Sequence, residues 1–231
     1  MAPILHIMRH GQGEHSSAVN IDGANIRDAP LTQHGKDQCA ERCKNFQSHD
    51  KIDLLLASHL RRALQTCALS FAPCLDRSQK IYALPMAEEA SDSPCDTGSP
   101  LEVLQNEFPN IVIFDHVKQG WYMHEGDYAV DPVSLNARAA KLRRFIRDRE
   151  EREVVLVTHG FFAHYLTGDV NERGEQTTPW WRETELRTFE FLGGGGEEAG
   201  IRETEESLLR NGVVRDDGVI INRPEVGRES A

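Results

Sequence analysis

Two apolar runs in this chain break off in the same way: "PILHIMRHG" at residues 3–11 and "EVVLVTHG" at 153–160 each end in a histidine followed by a glycine. Short apolar runs bounded by polar and turn residues are the pattern of strands buried on both faces. Such strands need helices on both sides of their sheet, which points to an α/β fold. The intervening segments agree. "LTQHGKDQCAERCKNF" carries Cys39, Ala40, Cys43 and Phe46 at helical spacing, with Thr32 placed to cap the helix. "KIDLLLAS" (51–58) reads as another buried strand, and "LRRALQTCALSF" as a helix stopped by Pro73. "KIYAL" and "ELRTFEF" (185–191) read as strands, while residues 134–151 and "FFAHYLTG" read as helices. The expected architecture is a three-layer α/β/α fold with a mostly parallel central sheet.

At 231 residues the chain fits one large domain. The sequence predicts a domain over residues 1–192, with the irregular stretch 85–132 as a cap or insert. An acidic, partly flexible tail follows over 193–231, opened by the glycines at 193–196. No apolar run approaches the ~20 residues of a membrane span, and the start does not read as a secretion signal. Five cysteines, an odd number, suit a reduced cytoplasmic setting. No second pair joins Cys39 and Cys43 to complete a zinc site. The net charge of −11 argues against nucleic acid as a partner. It leaves room for a small anionic ligand, because local fields dominate within a Debye length of ~8 Å.

In open α/β sheets, ligands sit beyond the carboxyl ends of the strands. Arg9-His10-Gly11 and Thr158-His159-Gly160 both lie at such ends. His10 alone reads more readily as a structural residue than as a catalytic one. Two histidines at strand ends, with arginines able to fork onto phosphate, make a better oxyanion cage than a core.

Four separated pieces resemble the histidine phosphatase superfamily, the phosphoglycerate-mutase-like branch 1. They are "RHG" (9–11), "SHLRRALQT" (58–66), "MAEEASDSPCDTGS" (86–99) and "VVLVTHGFFAHYLT" (154–167). "SDSPCDTGS" and "WRETELRTF" (181–189) are similar to its fungal and plant single-domain members. The resemblance implies a phosphoglycerate-mutase-like fold and a metal-independent phosphatase of a small phosphorylated metabolite, acting without cofactor as a monomer or homodimer. It implies His10 as nucleophile, Arg9, Arg62 and His159 as clamps on the phosphoryl oxygens, and Glu89 as proton donor, with Glu88 as its rival.

Departures from the family pattern also carry expectations. "RHGQGEHS" places Ser16 where many relatives have a phosphate-contacting asparagine, with Glu14 and His15 beside the pocket. The chain lacks the R-x-Y-G stretch of true mutases, which favours hydrolysis. Gly160 permits close approach to the ligand. Trp121 and Tyr122, with His124, fall in the cap region either as a substrate wall or as a packing cluster. Trp180 and Trp181 read as packing residues. Two other functions stay open at this point: acid–base chemistry without hydrolysis in the same pocket, and a non-catalytic scaffold.

Overall fold

The computed structural model describes residues 1–118, 121–193, 196–212, 214–216 and 219–221. Five parallel strands, β1 (Ile4–Arg9), β2 (Leu54–Ala57), β3 (Ile81–Ala83), β4 (Val112–Ile113) and β5 (Glu153–Thr158), stand in the order β4-β3-β2-β5-β1. β6 (Leu186–Phe191) pairs antiparallel with β1, and β7 (Ile201–Glu203) antiparallel with β6. The sheet is therefore mixed and mostly parallel, as the apolar runs imply.

The two-residue period of a strand divides these runs between two cores. Leu55, Ala57, Val155 and Val157 face one side of the sheet; Leu54, Leu56, Val154 and Leu156 face the other. Helix α1 (Gln33–Asn45) packs on α2 (Arg61–Ser70), and α2, α3 (Ala72–Asp76) and α4 (Leu101–Glu107) bury Leu64, Cys67, Cys74 and Leu104 in the first core. Helices α5 (Pro132–Arg147) and α6 (Gly160–Thr167) bury Leu142, Ile146, Phe162 and Leu166 in the second. All five cysteines are unpaired and four are buried, Cys43 being half-buried. Among the described residues no helix is long and apolar enough to cross a membrane.

Local signals explain the boundaries. The Thr32 side chain accepts from the Gly35 N–H at 2.9 Å and starts α1. The α5 helix begins at Pro132 rather than 134, because the Asp131 carboxylate accepts from the N–H groups of Val133 and Ser134 at 3.1 Å.

The predicted break at residue 192 does not coincide with the edge of the fold. β7 extends the sheet beyond it, and α7 (Glu205–Arg210) packs its Leu208 inward. Ser207 Oγ accepts the Thr188 N–H at 2.9 Å, which ties α7 to β6. A few buried residues hold this acidic stretch, so its composition alone misled. Two short strands, β8 (Val214–Asp216) and β9 (Val219–Ile221), then pair with each other. Gly194, Gly195 and the tail expectation for 222–231 lie outside the described residues.

Candidate active site

Arg9 stands opposite Thr158 in the β1–β5 register, so His10 and His159 leave the sheet as neighbours. The His10 N–H donates to the Thr158 carbonyl at 3.0 Å, and the two imidazole centroids lie 5.1 Å apart. His10 Nδ1–H donates to the Gly11 carbonyl at 2.7 Å, which assigns the tautomer and leaves a lone pair on Nε2. That lone pair accepts the Arg62 Nε–H at 3.2 Å. The Gly11 N–H donates to Thr66 Oγ1 at 3.0 Å, and the Thr66 hydroxyl donates to the Arg62 carbonyl at 2.7 Å. The loop after β1 is thus fastened to α2. A Cβ on Gly11 would lie 2.8 Å from the Gly35 carbonyl oxygen, so only glycine fits against α1.

Arg62 is buried, with its terminal nitrogens donating to the Cys95 carbonyl at 2.7 Å and to Asp96 Oδ1 at 2.5 Å. Arg9 donates to the Trp181 carbonyl at 2.6 Å. His159 is fully buried, and neither ring nitrogen has a hydrogen-bond partner among the described residues. Burial, reinforced by the charge of Arg62, holds His10 and His159 well below the usual imidazole value of 6.5. His15, whose ring lies 5.4 Å from that of His10, is pushed down to about 2 by burial, Arg62 and Arg9. These imidazoles are uncharged near neutrality.

The two adjacent glutamates face different ways. Glu89 lies at the start of α6 and accepts from the N–H groups of Phe162 at 2.8 Å and Phe161 at 3.3 Å. Burial and nearby Asp96 raise its pKa above the usual 4.5, while the bonds from the helix start and the charge of Arg62 oppose the rise. Glu88 turns into the protein, where Arg138 donates to it at 2.6 Å and His59 Nε2 stands 3.9 Å away. Burial pushes the Glu88 carboxyl up to about 8.

A cavity of about 440 Å³ opens over these groups, with Arg9, His10, Arg62 and Glu89 on its lining. Ser16, His15 and Gly160 also line it. Four residues expected at the pocket are not on its lining, the first being His159, whose fully buried ring stands 5.1 Å from that of His10. Glu14 is exposed and outside the lining, its N–H bonded to the Pro30 carbonyl. Trp121 is buried in the first core against His59 and Gly98, and Tyr122 packs on Trp121 with the Arg27 guanidinium 5.4 Å over its ring. Among the two readings of that cluster, packing matches this placement. The aromatic surface of the cavity comes instead from Phe161 and Trp180, whose rings are 6.0 Å apart and inclined by 14°. A Cβ on Gly160 would meet the Trp180 ring at 3.1 Å, so the glycine lets the indole lie against the start of α6. Trp181 is buried, stacked on Phe189 beneath Arg187.

Comparison with known proteins decides what these pieces belong to. The sequence model of the histidine phosphatase superfamily (branch 1) matches residues 5–203. The chain is a member of that superfamily.

A probable phosphatase of Schizosaccharomyces pombe is 26% identical over 163 residues, covering 68% of this chain and 73% of the relative. A phosphoglycerate mutase-like protein of Arabidopsis thaliana is 27% identical over 208 residues, covering 73% and 72%. Among solved structures, a mycobacterial glucosyl-3-phosphoglycerate phosphatase superposes with a TM-score of 0.57 at 16% identity, over 88% of this chain and 97% of the other. That last likeness concerns the fold. Membership and the named relatives support phosphatase activity for this histidine phosphatase.

Several cavity residues were not singled out as such in the sequence, among them Asp96, Glu183, Phe161 and Trp180. Asp96 was in view within "SDSPCDTGS", but nothing in the string shows that its carboxylate reaches Arg62. Glu183, Phe161 and Trp180 also line the cavity. Phe161 directly follows Gly160 at the predicted site, and this was the one available signal. Trp180 and Glu183 arrive on the loop before β6, and no spacing rule links that loop to β1.

Proposed function

We propose that this histidine phosphatase hydrolyses phosphomonoesters of a small metabolite through a phosphohistidine on His10 Nε2. The observation that carries the reading is the bond from Nδ1–H to the Gly11 carbonyl, which leaves Nε2 unprotonated and facing the cavity. In the first step the Nε2 lone pair forms a bond to phosphorus while the ester P–O bond breaks. The electron pair goes to the departing oxygen, which takes the proton of Glu89. In the second step water attacks phosphorus, Glu89 takes the proton, and the P–N bond breaks. Free His10, phosphate and protonated Glu89 result.

Arg9, Arg62 and His159 hold the equatorial oxygens and meet the charge that spreads over them. Three of the five Arg62 N–H groups are engaged, so one on each terminal nitrogen is left for phosphate. The Nε–H that rests on His10 swings to a phosphoryl oxygen when substrate enters. Each such donor lowers the barrier by ~3 kcal/mol. Ser16 adds a hydroxyl donor from the cavity wall. The absence of the R-x-Y-G stretch favours release of the phosphate over its return to an acceptor. The five unpaired cysteines are in keeping with a reduced compartment such as the cytoplasm.

Quenching turnover of an aryl phosphate in alkaline denaturant is expected to trap phosphate on His10 that survives base and is lost in acid. Continued phosphate release with none trapped, under conditions that saturate the enzyme, would count against the covalent route.

The same geometry sets the pH dependence. His10 has a lowered pKa, so the nucleophile stays neutral until the pH falls through that low value. Glu89 has a raised pKa, so the acid stays protonated until the pH climbs through it. Activity is lost on the acid side with His10 and on the basic side with Glu89, so the profile is bell-shaped, with its optimum between the lowered imidazole and the raised carboxyl. In Glu89→Gln, kcat/KM for an alkyl phosphate is expected to fall by ~10²-fold or more and to lose its basic limb. The loss is expected to be much smaller for a nitrophenyl ester, whose leaving group needs no proton. A basic limb unchanged in the variant would remove Glu89 from the role.

A further inference from the structure

Beyond the phosphate, the cavity carries a charge pattern and a shape that phosphate hydrolysis does not explain. Its side-chain cations are Arg9 and Arg62, both spent on the phosphoryl group in the mechanism above. His15 adds no charge, since it stays neutral far below physiological pH. Three carboxyl groups face the same space, Glu89, Asp96 and Glu183, and of these Glu89 enters the reaction protonated. Asp96 is paired with Arg62 and also accepts the Ser91 hydroxyl at 2.5 Å. Glu183 is held by the amide of Gln38 at 2.6 Å, with no cation beside it in an ion pair among the described residues. A second anionic group on a substrate would therefore meet the Glu183 carboxylate and find no basic partner among the lining residues.

The remaining surface is aromatic and apolar. Phe161 and Trp180 present nearly parallel rings with centroids 6.0 Å apart, and Ala24 and Ala90 add small apolar faces. The Trp180 Nε1–H has no hydrogen-bond partner among the described residues. Flat aromatic surfaces favour offset stacking with another ring, which is worth about tenfold in affinity for one good contact.

We infer that the cavity selects monophosphate esters whose alcohol portion is a flat, uncharged ring system, with Trp180 as the stacking platform and Glu183 as the element that turns away anionic substituents. The inference rests on the phosphomonoesterase reading, and it narrows the substrate class away from phosphorylated carboxylic acids.

Non-hydrolysable phosphonates test it without requiring turnover. By calorimetry the wild-type protein is expected to bind 1-naphthylmethylphosphonate at least tenfold more tightly than methylphosphonate. It is expected to bind benzylphosphonate at least tenfold more tightly than 3-carboxybenzylphosphonate. Trp180→Leu should cut the naphthyl-to-methyl ratio by about tenfold, and Glu183→Gln should shrink the penalty against the carboxylate. Equal or tighter binding of the carboxylated ligand by the wild type, or a naphthyl ratio near one, overturns the inference whatever the variants do. A parallel assay of phosphate release separates the two readings. Release without the binding preferences sinks the selectivity alone. Binding preferences without release from any ester sink the hydrolytic reading and leave the selectivity standing. Failure of every phosphonate to bind overturns both.

Discussion

Replacing His10 with alanine is expected to lower kcat for an aryl phosphate by at least ~10⁵-fold, on the scale seen when a covalent nucleophile is removed from other hydrolases. The argument rests on geometry as well as residue type. His10 lines the cavity, with its Nε2 in contact with Arg62 and its ring beside that of His159. None of the neighbouring groups is placed to substitute for it. His15 sits 5.4 Å away ring to ring and is uncharged, but it hangs from the loop after β1 and lacks the carbonyl contact that fixes the His10 tautomer. Steady-state release of phosphate, with circular dichroism to confirm the fold, is the measurement. Activity within tenfold of wild type would end the covalent mechanism.

Arg62→Ala is expected to act on two properties at once. Loss of a phosphate donor should reduce kcat by ~10²–10³-fold. Loss of its guanidinium also strands the buried Asp96 carboxylate, which should cost about 3–5 kcal/mol of folding stability. The double variant Arg62→Ala with Asp96→Ala separates the effects. Removing both charges should recover much of the stability while turnover stays low, because neighbouring sites of an ion pair are not additive. Chemical denaturation and kinetics on the same preparations decide the matter. A single variant as stable as wild type would show that the Asp96 contact carries no weight. A double variant with recovered kcat would show that Arg62 holds no phosphate.

The layered fold was readable because buried parallel strands leave an unmistakable string. "LLLA" at 54–57 and "VVLV" at 154–157 are apolar on both faces, and each face finds a helix. The histidine pair was readable for the same reason, since both sit where such a strand runs out. What the sequence hid was carried by loops. Trp180 and Trp181 are adjacent and chemically identical, yet one lines the cavity and the other is sealed under Arg187. That split depends on which way one short loop turns, and local propensity holds no record of it. Trp121 failed for the opposite reason. It lies in an irregular stretch of the kind that often builds pockets, but its ring found a hole above Gly98. The edge of the fold was misplaced because three strand residues and one buried leucine suffice to dock an acidic segment.

The hydrogen bond from His10 to the Thr158 carbonyl has a consequence for how such a site can change over time. Adjacent strands are spaced about 4.8 Å apart by their ladder of hydrogen bonds, and the two imidazoles stand 5.1 Å apart above that ladder. The gauge between attacking group and clamp is thus inherited from the backbone, and no side-chain mutation in the surrounding loops resets it. The walls have no such tether. Residues of the loops after β1 and before β6 can be exchanged without moving the reacting nitrogen, so new molecules can be admitted while the chemistry is handed down unchanged.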